Sequence, residues 1–470
     1  MTGPCTLIRL PDEILKTIFE YGAEENTKHL SFQRQVVATC TKLRRVARQD
    51  PLLWNKVQFI PNSHSGELAE LCFELSCSAP LDIVLTVTPE MQRRKPNTLT
   101  EARNFIRLVI IECDRWRSLV CEAPQTLIPL IEPLWRDDAD PLAHNMPLLE
   151  KVSIQNTDPR SGMLHPTHSL IPVGTSPLRS VAIAYWPIFW DPWWHTSLME
   201  LSLGPFDSER PAPSLHDLIR LLGNVAKGLR SLTLKGRWSA QDENDNIEVV
   251  NIFPCLTTLT IFVWGEYSLN LLKNCDFPAL HTLQLQLDVR IVQSDHLKDV
   301  LMGQILHGKK RALFESVIRL ELGIPGGLDE EKSQTLRDAF PYLQQAELSG
   351  FMFLDTETVS FLSSAWPSIT SLCLPEAELA TVRRLLALRE ECMPMKLQKL
   401  RLRVARGMLF RDDYDWIASR VREWIIERER SALFRNIGQK LPVFKMSSLR
   451  ASRVSEVAPI PGRFPRLRQL

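Results

Sequence analysis

Glycine is scarce in this 470-residue chain, with 19 glycines against 32 prolines. Loops of the phosphate-cradling kind are therefore few, and Gly323-Ile324-Pro325-Gly326-Gly327 reads as a turn after a strand rather than a P-loop. Ten cysteines in 470 residues are too thin for a disulfide scaffold, and none forms a CxxC pair. His165 and His168 have no further ligand nearby, Asp137, Asp138 and Asp140 make an incomplete calcium pattern, and no G-x-S-x-G nucleophile motif occurs. The expectation is no metal, no cofactor and no enzyme activity.

No apolar run reaches the roughly 18 residues of a membrane span. Asp12 and Glu13 interrupt the N-terminal stretch before a secretory-type apolar core forms, so no leader is expected. A reducing setting, cytoplasmic or nuclear, with buried free thiols follows. Lys+Arg number 56 and Asp+Glu 55, a net +1 that removes any chain-wide argument for nucleic acid or membrane as partner. With 44% hydrophobic and 24% charged residues, wholesale disorder is excluded.

The strongest positive feature is repetition. One phrase recurs: an apolar residue, two variable residues, an apolar, one variable, an apolar. It occurs at Leu149/Val152/Ile154, Leu178/Val181/Ile183, Leu198/Leu201/Leu203, Leu229/Leu232/Leu234 and Leu256/Leu259/Ile261. It continues at Leu280/Leu283/Leu285, Val317/Leu320/Leu322, Leu343/Ala346/Leu348, Ile369/Leu372/Leu374 and Leu397/Leu400/Leu402. Trp116/Leu119/Cys121 is a weaker earlier copy, and Phe464 to Leu470 begins another. Starts are spaced 20 to 37 residues apart, often after a Pro-x-Leu approach. In a strand, the second and third apolar residues share one face, and the residue between them faces the other way. One such strand cannot bury its face alone, but stacked neighbours can.

Several spacers carry helical spacing: Leu215/Leu218/Leu222/Val225 before Gly228, Leu297/Val300/Leu301/Ile305, Leu336/Ala339/Phe340, Val359/Phe361/Leu362 and Leu379/Val382/Leu385/Leu386. Residues 155–177, 184–197 and 235–248 do not read as helices. Strand–helix–strand order predicts a parallel sheet. An ordinary α/β domain also has Leu/Ile/Val strands, but it does not predict the repeated spacing.

The first sixty residues follow another pattern. Pro11 suits a first helical position and Asp12 and Glu13 its positive dipole end, while Ile14, Leu15, Ile18 and Phe19 form an apolar stripe. A second helix is predicted near Phe32–Cys40 and a third over Leu43–Arg48, stopped by Asp50-Pro51. The LPDEIL…IF opening, the V-x-x-C-x-x-L-R-x-V-A middle and the PLLW-x-x-V close resemble the F-box. Ala79 to Leu85 is similar to the start of the repeats in fungal-type F-box proteins with degenerate leucine-rich repeats.

The resemblance implies an α/β chain: an N-terminal three-helix F-box (1–60), a linker and first irregular repeat (61–115), and a leucine-rich-repeat solenoid (116–404) with a parallel concave sheet and outer helices or loops. A C-terminal capping helix (405–434), with Ile417, Val421, Trp424 and Ile425 on one face, and a basic tail (435–470) complete the reading. It also implies a role. The F-box docks a Skp-type adaptor and through it a cullin, and the repeats hold a protein client for ubiquitin transfer. Leu10, Pro11, Ile14, Leu15 and Ile18 would meet the adaptor, with Leu53 and Trp54 closing the module. The alternative is a scaffold protein outside any ligase, whose N-terminal helices only cap the repeats.

Two client surfaces stand out. Lys399, Arg401 and Arg403 put three cations on one strand face, suited to an acidic or phosphorylated segment or simply solvated. Trp186, Trp190 and Trp193, with Tyr185, Phe189 and Trp194, are either a binding anchor or a packed plug. The tail carries eight Lys/Arg and one Glu, a balance of 8 − 1 = +7, which reads as an anion-binding arm, a nuclear address or plain disorder.

Overall fold

The computed structural model describes residues 6–25, 31–61, 64–124, 126–127, 130, 146–158, 177–185, 197–206, 215–237, 251–264, 271–272, 275–286, 305–306, 309–310, 314–323, 330–349, 368–374 and 399–402. The chain opens with helices α1 (Asp12–Glu25), α2 (Ser31–Thr39) and α3 (Thr41–Arg48), then a 3-10 turn, Pro51–Trp54. The start of α1 and both bounds of α2 and α3 lie within two residues of the sequence expectation, an ordinary uncertainty at frayed ends. Helices α4 (Ser65–Ser76), α5 (Pro89–Arg94), α6 (Thr98–Ile110) and α7 (Leu215–Val225) follow, and a further helix spans Glu330–Ala339.

The strands are β1 (Lys56–Gln58), β2 (Leu81–Thr86), β3 (Trp116–Ala123), β4 (Lys151–Asn156), β5 (Ser180–Ala184), β6 (Glu200–Phe206), β7 (Ser231–Arg237), β8 (Asn251–Ile252) and β9 (Thr258–Trp264). After them come β10 (Cys275–Asp276), β11 (Thr282–Gln286), β12 (Ile305–Leu306), β13 (Lys309–Lys310), β14 (Arg319–Gly323), β15 (Gln345–Ser349), β16 (Ser371–Leu374) and β17 (Lys399–Leu402). Thirteen form one parallel sheet in the order β1-β2-β3-β4-β5-β6-β7-β9-β11-β14-β15-β16-β17, so spatial order is chain order. The fold is mixed α/β around this sheet.

Its register explains the phrase. Val57, Ile83, Leu119, Val152, Val181, Leu201, Leu232, Leu259, Leu283, Leu320, Ala346, Leu372 and Leu400 stand opposite one another from strand to strand. The third apolar position makes a second row, Leu85, Cys121, Ile154, Ile183, Leu203, Leu234, Ile261, Leu285, Leu322 and Leu348, all buried. The first position is buried too, from Leu149 to Ile369. A slip of one residue would turn a strand's apolar set outward, so the alternation itself fixes the pairing.

The turns into the strands carry a signal that the sequence reading passed over. Phe253, Phe277 and Phe340 each precede a proline, and the amide three residues on, at Leu256, Leu280 and Leu343, donates to the phenylalanine carbonyl at 3.4, 3.2 and 3.4 Å. Proline presets the backbone at the second position of such a turn. Met146 and Phe314 hold the same place, and all five of these side chains are buried. Phe253 stacks on Phe277 and Phe314 on Phe340, each with centroids 5.4 Å apart. A backbone detail accompanies this: the carbonyl just after the first apolar residue accepts two amides of the next repeat. Arg230 takes Thr257 and Thr258 at 2.9 and 3.1 Å, and Thr257 takes His281 and Thr282 at 3.0 and 2.9 Å.

Residues 61–115, expected as a linker and first irregular repeat, hold a strand of the sheet: β2 is a full member, with Leu81, Ile83 and Leu85 buried, and α4, α5 and α6 flank it along the chain. The sheet already begins at Lys56, inside the stretch assigned to the head. Ile305 is in no helix. It pairs antiparallel with Lys310, and Leu306 with Lys309, while Leu297, Val300 and Leu301 of that expected helix lie outside the described residues. The expected helices at 359–362 and 379–386, the capping helix and the basic tail lie outside the described residues, and α7 ends at Val225 as its spacing suggested.

Candidate docking surfaces

Helix α1 divides the apolar stripe read from its sequence. Leu15 and Phe19 are 0% and 2% exposed, whereas Ile14 and Ile18 are 48% and 39% exposed. Tyr21, 66% exposed, and Pro11 extend the outer set. At about 100° per residue, Pro11, Ile14, Ile18 and Tyr21 fall within an arc of about 80°. Leu15 and Phe19 lie beside that arc and hold the helix down, Phe19 edge-on to Phe32 at 6.4 Å. Gly22 allows this closeness, since a Cβ there would stand within 2.8 Å of three Phe32 ring carbons.

The remaining adaptor candidates divide the same way. Leu53 and Trp54 are buried in the chain's own core, the Trp54 Nε1–H donating to the Ala47 carbonyl at 2.7 Å and Gln33 Nε2 to the Leu53 carbonyl at 3.4 Å. Leu15, Leu53 and Trp54 therefore support the surface and do not form it. Leu52, between Asp50 and Leu53, is instead 50% exposed, a residue the sequence reading did not single out. Leu10 is half-buried, and its carbonyl accepts from Lys42 Nζ at 2.8 Å. Asp12 pairs with Lys42 at 3.5 Å and Arg45 at 3.1 Å, tying the start of α1 to α3.

On the sheet, the residues between the apolar positions form polar rows. One runs Ser153, Ala182, Ser202, Thr233, Thr260, Gln284, Glu321, Glu347, Cys373 and Arg401. Thr260 Oγ1 donates to Gln284 Oε1, and Gln284 Nε2 donates to Glu321 Oε2, both at 2.9 Å, so the amide orientation is set across three strands. Lys235 Nζ lies 5.8 Å from the Phe262 ring centre. At the other end, Asp82 accepts from Arg117 Nε at 3.1 Å, from Arg117 Nη2 and from Ser118 Oγ at 2.7 Å, and this pairing raises the Arg117 pKa.

Lys399 and Arg401 stand in β17 opposite Ser371 and Cys373, at positions that continue the polar rows. Arg403, Trp186, Trp190 and Trp193 lie outside the described residues. Among the described residues no three His, Cys, Asp or Glu side chains are grouped to hold a metal ion, and no helix is long and apolar enough to cross a membrane. Burial pushes the Cys72 and Cys121 thiols up to about 12, which keeps them protonated and unreactive. No protein-family model matches the chain, and no curated protein matches it.

Proposed function

We propose that this protein is the substrate-recognition subunit of a Skp–cullin–F-box ubiquitin ligase. The N-terminal helices act as an F-box that seats a Skp-type adaptor, and the sheet is the inner surface of a leucine-rich-repeat solenoid that holds a protein client. The observation that carries the reading is the apolar stripe Pro11, Ile14, Ile18 and Tyr21, left in water while its neighbours are buried. A patch of this kind on a small helical unit marks a partner surface. The in-register array of strands, each paired with the next along the chain, supports the solenoid. The role is non-enzymatic, because such a receptor contributes proximity and leaves the reaction to a recruited enzyme. It places the protein in the cytoplasm or nucleus.

One observation favours the scaffold reading: the head and the first strands share one continuous core, as a cap would. Adaptor binding separates the two. The full chain is expected to co-purify with a Skp-type adaptor, and changing Ile14 and Ile18 to Glu is expected to weaken that binding at least 100-fold with little change in thermal midpoint. Loss of two anchoring side chains at about 2 kcal/mol or more each gives this scale. A parent chain that ignores the adaptor leaves the scaffold reading in place.

A further inference from the structure

Helix α3 is the head's most one-signed element. Its sequence, TKLRRVAR, holds four cations and no acid. Leu43, Val46 and Ala47 are buried, while Thr41, Arg44, Arg45 and Arg48 are exposed at i, i+3, i+4 and i+7, one face of a helix. Arg45 meets Asp12 at 3.1 Å, so this cationic face adjoins the N-terminal end of the α1 stripe. Arg9, also exposed, lies just before that end.

We propose that the partner seated on the α1 stripe carries acidic side chains where it crosses α3, and that the α3 arginines steer its approach. The inference rests on the adaptor-docking reading and adds the chemistry of the partner's rim. The stripe supplies burial and hence lifetime, while exposed charges beside it mainly set the rate of encounter. A protein partner fits better than nucleic acid: three arginines fall short of the roughly six to ten phosphate contacts that sustain such binding, and an apolar stripe is of no use to it. Opposed charges speed association only while salt does not screen them, with a Debye length of about 10 Å at 0.1 M and about 3 Å at 1 M.

The test uses the full chain and a purified Skp-type adaptor as probe. Arg44 donates to the Val37 carbonyl at 2.8 Å and is left alone. Arg45→Gln/Arg48→Glu is compared with the parent by surface plasmon resonance from about 50 mM to about 500 mM NaCl. The expected result is association slowed roughly five- to tenfold at low salt, converging with the parent at high salt, and dissociation changed less than about twofold. Arg48→Gln, which removes one charge without reversing it, should fall between them. A parent association rate independent of salt, or a variant that slows equally at all salt concentrations, overturns the inference and leaves adaptor docking intact. A parent that does not bind the adaptor overturns both, and retention of the chain on a duplex DNA column at about 0.15 M salt would assign the arginines to nucleic acid instead.

Discussion

Asp50 shows how the head holds a turn under its exposed surface. Its Oδ1 accepts from the Leu52 amide at 3.3 Å and starts the 3-10 turn that carries Leu53 and Trp54 inward. Its Oδ2 is buried with no hydrogen-bond partner among the described residues. Burial, then the Glu20 carboxylate, raise its pKa above the ordinary 3.8, against the opposing pull of the Leu52 amide and Lys16. A carboxyl raised on folding gives its full stabilisation below the unfolded pKa and loses it as pH climbs through the folded value. Asp50→Asn keeps the acceptor for Leu52 and removes the charge. It is expected to match the parent near pH 3.5 and to melt higher at pH 7, in thermal scans over that interval. A gap between the two that does not change with pH would count against a desolvated carboxylate here.

At the scale of the element, the strand phrase was the most legible part of the sequence because period two and a buried face leave little choice of register. Every described apolar position of the phrase from Leu149 to Leu372 with an assigned exposure is buried. The turn before these strands was half legible: proline marks it in the sequence, whereas one phenylalanine per 24 to 37 residues makes no local pattern, and Phe340 fits the helical spacing of Leu336 and Ala339 as well. Phe277 is buried and stacked on Phe253 with planes 26° apart. Phe277→Ala is expected to cost about 3–5 kcal/mol in urea unfolding, the usual range for a buried ring, against under about 1 kcal/mol for Pro278→Ala. Equal small losses would mean that the turn geometry holds this corner without the ring. The α1 stripe was legible as apolar, but not as divided. Periodicity could not tell which half of Ile14, Leu15, Ile18 and Phe19 meets the protein, because that depends on where α2 and α3 return, a long-range fact. Leu53 and Trp54, which the resemblance has closing the module beside the adaptor residues, are buried for the same long-range reason.

For the molecule as a whole, the head is not an appended module. Leu15, Phe19, Leu43, Val46, Leu53 and Trp54 belong to the same continuous core as Val57, Phe59, Ala69 and the strand rows. The Phe59 amide bonds the Val84 carbonyl at 2.8 Å, so the first sheet contact lies directly after the head. A chain lacking residues 1–54 is expected to bind a hydrophobic dye and self-associate, and to lose hydrogen-exchange protection at Val57 and Phe59. Retained protection and a monomeric, dye-silent product would show that the sheet closes its own first edge.

The match between spatial and chain order also bears on how the protein is made. A ribosome releases β1 before β2, and each later strand emerges to find its neighbour already in place. No strand of the large sheet has to wait for a distant segment, so closing each contact costs the entropy of a short loop. The three helices of the head leave first and hand the growing edge a finished surface, which turns assembly into a one-way march instead of a search.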